Sequence, residues 1–600
     1  MAFAVWGSRM SDKIRRGGRC GGPRSALFLA LLTSGLWNAS APVGLAQVVA
    51  VEDSASRVEA VDVTIVNPSA DTALNARIID LIRRELRAFP DGTFSRAAAE
   101  LALARVRRTS PVTETTIDVT PGATGGVIVT IGAILSDARA AATERGYMLT
   151  GDRSDLPVLY DRNGTYIVGK LELLSMAYAN NNAWYGRPDL FLNGNPLVSG
   201  DPAGAGTDAW VEGFIHAGIY GITPLGGSAQ LYGGLSGILS GSTGTELFTD
   251  ATRLHFGIED AYIGIVGGDT SAEGNRLVWN LTAGRKRFAI GEGFLIANSA
   301  SNGQDRAALQ SNPRWAADML VLGQVRYNDT LVEAFYLDPD ELPVVDSRTK
   351  IAGLNAETRL EGGWQLGATY LSVLESDFGY FATTPPDPAT ATLGRDGLEV
   401  FDLRFRWQPE QSGLFVVGEA ALQRNDRFDM KATGIMGEVG YSFADAKWQP
   451  TVSYRLARFS GDDPATARFE RWDPLLSGGN GEQWVQGINH FKVFQDSNLI
   501  AHRLQFRLRP SPKIELVPQL WVFKADSTTN LGGNPALSFL GGADLATEVN
   551  LTAKWFVSKN TMLQGHVAAT FPSSDLNAAS GVTGDIDPWV SAMVFLRVAF

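Results

Sequence analysis

From Tyr166 to Phe600 the chain is built of short stretches in which apolar and polar residues alternate, separated by clusters of Gly, Pro, Asn and Asp. A period of two marks strands with one face in an apolar medium. Eighteen such strands are predicted: 166–178, 209–220, 227–240, 254–266, 276–288, 316–328, 330–338, 350–360, 363–374, 398–408, 412–424, 432–443, 447–459, 500–510, 513–524, 544–556, 561–571 and 589–600. Lengths near ~10 residues and an even count suit strands that cross a bilayer as a closed antiparallel barrel. The links alternate between long (179–208, 289–315, 375–397, 460–499, 525–543, 572–588) and tight (Gly221 to Gly226, Asp329, Glu361-Gly362, Pro409 to Gln411, Ala444 to Ala446, Ser511-Pro512). In outer-membrane barrels the long links are outside loops and the tight ones periplasmic turns, which puts both ends of this barrel on the periplasmic rim.

Face patterns within strands agree. Phe401, Leu403, Phe405 and Trp407 alternate with Asp402, Arg404 and Arg406, and Leu504, Phe506 and Leu508 alternate with Arg503, Arg507 and Arg509. Arginine on the lipid face costs ~2–4 kcal/mol at the midplane, so these arginines, with Arg455, are expected to face the lumen. There they would attract carboxylates as a charged ladder, or pair with Asp402, Glu419, Glu438, Glu515 and Glu548 on the same face. Tyr441, Trp448, Tyr454 and Trp555 fall on the outward parity and suit aromatic girdles. The last strand turns Val590, Ala592, Val594, Leu596, Val598 and Phe600 one way, with Ser591 and Arg597 the other. A terminal phenylalanine on such a strand resembles the signal read by the barrel-assembly machinery.

Residues 47–135 have a different texture. Val61, Val63 and Ile65 alternate as a strand; Leu74, Ile78, Ile79, Ile82 and Leu86 follow helical spacing, as do Ala98, Leu101, Leu103 and Val106 after Ser95. Two strands follow, at 112–119 and 127–134. The order β-α-α-β-β resembles a POTRA domain, the periplasmic module of outer-membrane translocators, which implies a docking site for an export partner; a periplasmic plug or docking module of unrelated ancestry fits equally. Residues 136–165 read as a linker.

Residues 1–46 read as a signal peptide: six basic residues up to Arg24, a short apolar core from Ala26 to Trp37, and Gly44-Leu45-Ala46 at the cleavage positions. Its removal takes away 6 of the 52 basic and 1 of the 64 acidic residues, moving the net charge from −12 to −17. The only cysteine, Cys20, leaves with it, which excludes disulfides, zinc–thiolate sites and cysteine nucleophiles. The acidic balance argues against a nucleic-acid partner. No other stretch is long and apolar enough for a membrane helix, so the exported chain is either soluble or a barrel. The 65 glycines and only 19% charged residues fit the barrel.

No catalytic constellation, metal site or cofactor site is expected. The five histidines, at 216, 255, 490, 502 and 566, are scattered. Acidic pairs Glu259-Asp260 and Asp462-Asp463 read as solvated charge, because strand neighbours point to opposite faces.

Three stretches resemble the alginate export family of outer-membrane channels. The first is Ala283-Gly284-Arg285-Lys286-Arg287 followed by Gly291-Glu292-Gly293-Phe294-Leu295-Ile296. The second is Trp472-Asp473-Pro474-Leu475-Leu476 with Gly478-Gly479, Trp484 to Gly487, Ser497-Asn498-Leu499 and His502. The third is Leu545 to Leu551 with Ala569-Thr570-Phe571-Pro572. The resemblance implies an 18-stranded barrel in the outer membrane of a Gram-negative bacterium, with a basic conduit for an anionic polysaccharide or a smaller charged solute, and no catalysis. The N-terminal module departs from that family's pattern. The alternative reading, a POTRA-barrel polypeptide translocator, carries an Arg-Gly-Tyr/Phe motif in a late loop, whereas Arg145-Gly146-Tyr147 here precedes the barrel.

Overall fold

A computed structural model describes residues 58–599 except 70–71, 89–93, 95, 110–111, 122–125, 136–156, 193–194, 272–274, 382–390, 410–411, 479–483, 490–495, 512, 529–540, 559–560 and 580–585. The leader at 1–46, the capping residue Ser95, Arg145-Gly146-Tyr147, most of the linker and the terminal Phe600 lie outside the described residues.

The N-terminal module contains β1 (Val58–Ile65), α1 (Thr72–Ala88), α2 (Arg96–Thr109), β2 (Val112–Pro121) and β3 (Val127–Leu135). Its sheet has the order β1-β3-β2, with β1 parallel and β2 antiparallel to the central β3. The parallel pair requires a crossover, and the two helices provide it. Ile78, Ile82 and Leu86 of α1 and Leu101 and Val106 of α2 are buried with Val63, Ile117, Val129 and Ile131, so the i, i+4 spacing sets the face that meets the sheet.

The remaining strands are β4 (Val158–Arg162), β5 (Thr165–Asn181), β6 (Thr207–Gly226), β7 (Ala229–Gly244), β8 (Arg253–Thr270), β9 (Arg276–Arg285), β10 (Met319–Tyr327), β11 (Thr330–Asp338), β12 (Lys350–Leu360), β13 (Trp364–Glu375), β14 (Gly379–Phe381), β15 (Ala391–Gly394), β16 (Leu398–Trp407), β17 (Gly413–Asn425), β18 (Ala432–Ser442), β19 (Thr451–Phe459), β20 (Leu499–Ser511), β21 (Ile514–Lys524), β22 (Asp544–Ser558), β23 (Thr561–Pro572) and β24 (Trp589–Ala599). β14 and β15 form a small hairpin within one long loop. Eighteen of the others, β5–β13 and β16–β24, pair in sequence order, and β24 pairs with β5 to close the cylinder. Closure is what a lipid-embedded sheet requires, since no water is present to satisfy an open edge. No described helix is long and apolar enough to cross a membrane.

All eighteen predicted strands are present, with shifts at their ends. The segment predicted at 447–459 begins at Thr451, because Trp448 and Gln449 turn with φ of 70° and 43°. The predicted linker at 136–165 holds β4, which folds back on β5 through Asn163-Gly164, both at positive φ. Asn-Gly between apolar residues is a strong hairpin signal. The alternation divides the two faces as expected: Leu403 is 69% exposed and Asp402 only 2%. Tyr441, Trp448, Tyr454 and Trp555 are exposed on the outer surface.

The closing seam carries its own ion pair. Arg597 of β24 donates Nε to Glu172 of β5 at 2.6 Å, with Lys170 at 3.6 Å from the same carboxylate. Trp589 Nε1 donates to Asn180 Oδ1 at 2.7 Å. Replacing Arg597 by Ala leaves a buried carboxylate short of its main partner, an expected loss of about 3–5 kcal/mol. The heat-induced shift of the folded band on cold gels should then move to lower temperature; an unchanged shift would show that the seam does not depend on this pair.

Candidate functional site in the lumen

The N-terminal module sits inside the barrel rather than hanging free of it. Its core is continuous with Tyr166 and Val168 of β5, Tyr220 and Ile222 of β6, Tyr232 of β7, Val266 of β8 and Val278 of β9, all buried and all near the rim of tight turns. Tyr166 donates its hydroxyl to Glu100 at 3.4 Å, and the Arg107 guanidinium lies 5.0 Å from the Tyr166 ring centre. On the opposite wall Glu59 of β1 faces Arg406 of β16 at 3.8 Å. Contacts on both sides mean that the module spans the lumen. The sequence gives a reason in α2: Ala99, Leu101, Ala102, Leu103, Ala104 and Val106 are all buried, more than one face of a helix needs. A helix apolar most of the way round is covered on both sides, here by its own sheet and by the wall.

From the other rim two long loops fold inward. Residues 286–318 bury Phe288, Ile290, Phe294, Leu295 and Ile296; residues 460–498 bury Trp472, Trp484, Val485 and Ile488. The two loops bond to each other where the family-like motifs meet: Leu476 N donates to Leu295 O, Ala297 N to Leu476 O, and Gly478 N to Gly293 O, at 2.9–3.2 Å. The Phe294 ring packs within 6.4 Å of Phe459, Trp472 and Trp484.

Wall carboxylates hold these loops by their backbone. Glu259 accepts Trp315 N and Ala316 N at 2.6 and 2.8 Å. Glu212 accepts Gln310 N at 2.9 Å and also Ser311 N. Glu548 accepts Ile488 N and Asn489 N at 2.7 and 3.1 Å. A loop carried off the surface must satisfy its amides somewhere, and each acid takes two. Gly487 stands beside the last of these, where a Cβ would lie 2.6 Å from the Glu548 carboxylate and φ is +66°. For Glu259-Asp260 the expectation of opposite faces is corrected. A register shift between Leu235 and Gly237 sets both acids against Ser236 as a bulge, and both turn inward. Asp260 then accepts Tyr220 and Ser236 hydroxyls at 2.5 and 2.7 Å.

The six predicted lumen arginines lie on the inner wall and are matched by acids. Arg404 meets Asp402 and Glu357, each at 2.7 Å. Arg455 and Arg503 share Glu438 at 2.5 and 2.7 Å, and Arg507 and Arg509 share Glu515 at 3.1 and 3.3 Å. Glu292, at the tip of the first inward loop, reaches Arg455 at 3.4 Å and Arg406 at 3.9 Å. Between plug and wall remains a cavity of about 150 Å³, lined among others by Val58, Val61, Glu292, Arg404, Arg406 and Glu419.

The motif residues anchor the loops. Gly284 (φ 128°) allows close approach, since a Cβ there would fall 2.4 Å from Ala261 O. Arg285 donates Nε to Ile258 O at 2.8 Å and binds Asp318 and Asp340. Asp340 also takes Arg306 and Arg314, at 2.7 and 2.8 Å. Asp473 accepts Arg395 Nε and Nη2 at 2.7 and 2.9 Å and the Tyr380 hydroxyl at 2.5 Å, while Pro474 and Leu475 (φ 51°) complete its turn. Burial opposes the charge of Asp473, but Arg395 overcomes it and holds the carboxyl below its ordinary range. Among the described residues no cation pairs with Asp496: burial pushes it up to about 6, even though Ser477, Trp484 and Gln486 donate to it at 2.7–3.0 Å.

Several residues that hold the plug and the loops do not stand out in the sequence: Glu59, Glu212, Asp340, Asp496, and Glu548 as a loop anchor, while Glu292 shows there only as part of a glycine-rich stretch. The available signal was a lone acid on the inward parity of a strand, as in Trp210-Val211-Glu212 and Thr547-Glu548-Val549. The loop amides they hold have no counterpart in a strand pattern.

A family model described as alginate export matches residues 242–584, more than half of the chain. No curated protein matches the chain. Similar solved structures include Acinetobacter baumannii OccAB2 (12% identity, 72% of this chain and 98% of that chain, TM-score 0.39) and OccAB1 (11%, 72% and 96%, 0.44), and Pseudomonas aeruginosa OprD (12%, 72% and 95%, 0.41).

Two outcomes are expected for the inward loops. Glu548→Ala should release residues 484–489, seen as a loss of amide protection there and a rise in ionic conductance; retained protection would show that the loop is held elsewhere. Because the folded state raises Asp496, its favourable contribution is complete below the unfolded value near ~3.9 and is lost as pH rises through 6, by about 3 kcal/mol. Amide protection of 484–489, corrected for intrinsic rates, should therefore fall between pH 4 and 7, and Asp496→Asn should flatten that slope.

Proposed function

This chain belongs to the alginate export family, and from that membership and the lumen above we propose that it carries an anionic polysaccharide, or a smaller carboxylated solute, across the outer membrane along the arginine-bearing wall. It is an outer-membrane channel, and its work is transport. The observation that carries this reading is the alignment of Arg404, Arg406, Arg455, Arg503, Arg507 and Arg509 on β16, β19 and β20, where Arg406 and Arg455 meet the carboxylate at the tip of an inward loop. Arginines paired with wall acids form a ladder on which a passing carboxylate exchanges partners, without meeting a bare positive field that would trap it. The tight-turn rim, where the N-terminal module lies, is the periplasmic one. The outer surface meets lipid, and the assembly machinery reads the last strand.

Current through open channels in a salt gradient tests this reading. The unmodified channel should prefer anions. Replacing Arg503, Arg507 and Arg509 together by Ala leaves Glu438 and Glu515 in excess and should move the reversal potential toward cations, whereas Glu438→Gln with Glu515→Gln should move it the other way. Cation preference in the unmodified channel would count against the proposal.

A further inference from the structure

One guanidinium is shared by the two bodies that obstruct the lumen. Arg406 faces Glu59 of the plug at 3.8 Å and Glu292 of the inward loop at 3.9 Å. Glu292 continues to Arg455 at 3.4 Å. These contacts are long beside the wall's own pairs, such as Arg455–Glu438 at 2.5 Å and Arg404–Asp402 at 2.7 Å. All the partners are largely shielded from water: Glu59 is 9% exposed and Arg406 5%. Two carboxylates, one from the plug and one from the inward loop, therefore meet the arginine wall at a single guanidinium, which also donates Nη2 to Gln408 at 2.6 Å, while Glu59 accepts the Gly126 amide at 2.7 Å.

We propose that Glu59 and Glu292 occupy, in the closed channel, the arginine site taken by the carboxylates of the transported polymer in the open one, so that the substrate releases the plug. The proposal rests on the transport reading above and deepens it. A carboxylate on a mobile polymer can settle on Arg406 in the bidentate geometry a guanidinium favours, whereas Glu59 and Glu292 meet it only where their own backbones place them. A polymer with a carboxylate on successive sugars presents the next competitor at high local concentration once the first is bound, an advantage that a single carboxylated monomer lacks. The plug's contacts are unequal in kind, which gives the release a direction. Against β5 to β9 the contact is broad and apolar, through Tyr166, Val168, Tyr220, Ile222 and Val278. Toward β16 and β20 the contact is ionic, with Glu59 facing Arg406 at 3.8 Å and lying within electrostatic reach of Arg509. Competition for these arginines loosens the ionic side first, and the module pivots on its apolar side.

The test uses the full chain in planar bilayers, with a short alginate oligomer as probe and a neutral maltooligosaccharide of equal length as control. The unmodified channel should be closed for most of the record, and its open fraction should rise at least tenfold with alginate oligomer and stay unchanged with the neutral sugar. Glu59→Gln with Glu292→Gln should be open without any sugar and lose the response. Arg406→Gln should do the same, and heat-modifiable gel mobility checks that each variant is folded. A double variant that is folded yet stays closed, or an unmodified channel that opens equally to the neutral sugar, overturns the release mechanism while leaving transport intact. Failure of alginate oligomer to block or cross any open variant overturns the transport reading itself, and this proposal with it.

Discussion

Everything in this molecule follows from the need to pair every backbone amide within the lipid-embedded wall. A strand in hydrocarbon has no solvent to fall back on, so the eighteen strands close on themselves through β24 and β5. Closure fixes the diameter, and an 18-stranded cylinder is too wide for its own side chains to fill. What fills this one is more chain: a folded module at one end and two loops at the other. The same accounting then applies to the inserted loops, whose amides end on Glu212, Glu259 and Glu548.

The inner wall is accordingly polar but nearly balanced. From Tyr232 a run of side-chain hydrogen bonds passes through Asn280, Gln324, Glu333, Asn355 and Thr369 to Arg404, crossing strand after strand at 2.5–3.0 Å. Beyond Arg404 the neutral amides give way to arginine–carboxylate pairs. Buried charges in such a wall persist because each has a partner, and removing one member costs more than the pair contributes. A wall of this kind recognises charged groups by exchanging partners.

The strands were legible because a two-residue period facing lipid leaves little freedom: Leu403 and Asp402, or Leu504 and Arg503, can point only one way. The link lengths were legible too, since a turn that only joins two neighbouring antiparallel strands needs few residues, and anything longer stands out. The inward folding of the loops was not, because it depends on tertiary amide acceptors far away in sequence, such as Glu548 for Ile488. The bulge at Glu259-Asp260 escaped because it depends on the register with Ser236, which local alternation does not encode. The module's elements were readable from helical and strand spacing, but its place in the lumen lay in the second apolar side of α2. The motif residues Trp472, Asp473, Pro474 and Leu475 were visible as a pattern, and the structure supplies their physical reason, a turn locked on Arg395 and Tyr380.

The short β4 hairpin ties the module to the strand that seals the cylinder. β4 folds back on β5, and β5 is the strand on which β24 closes the wall. Module and wall are therefore one covalent chain. A module displaced from Arg406 remains a captive of the same molecule, and its return is a first-order event whose rate does not depend on how many copies the membrane holds.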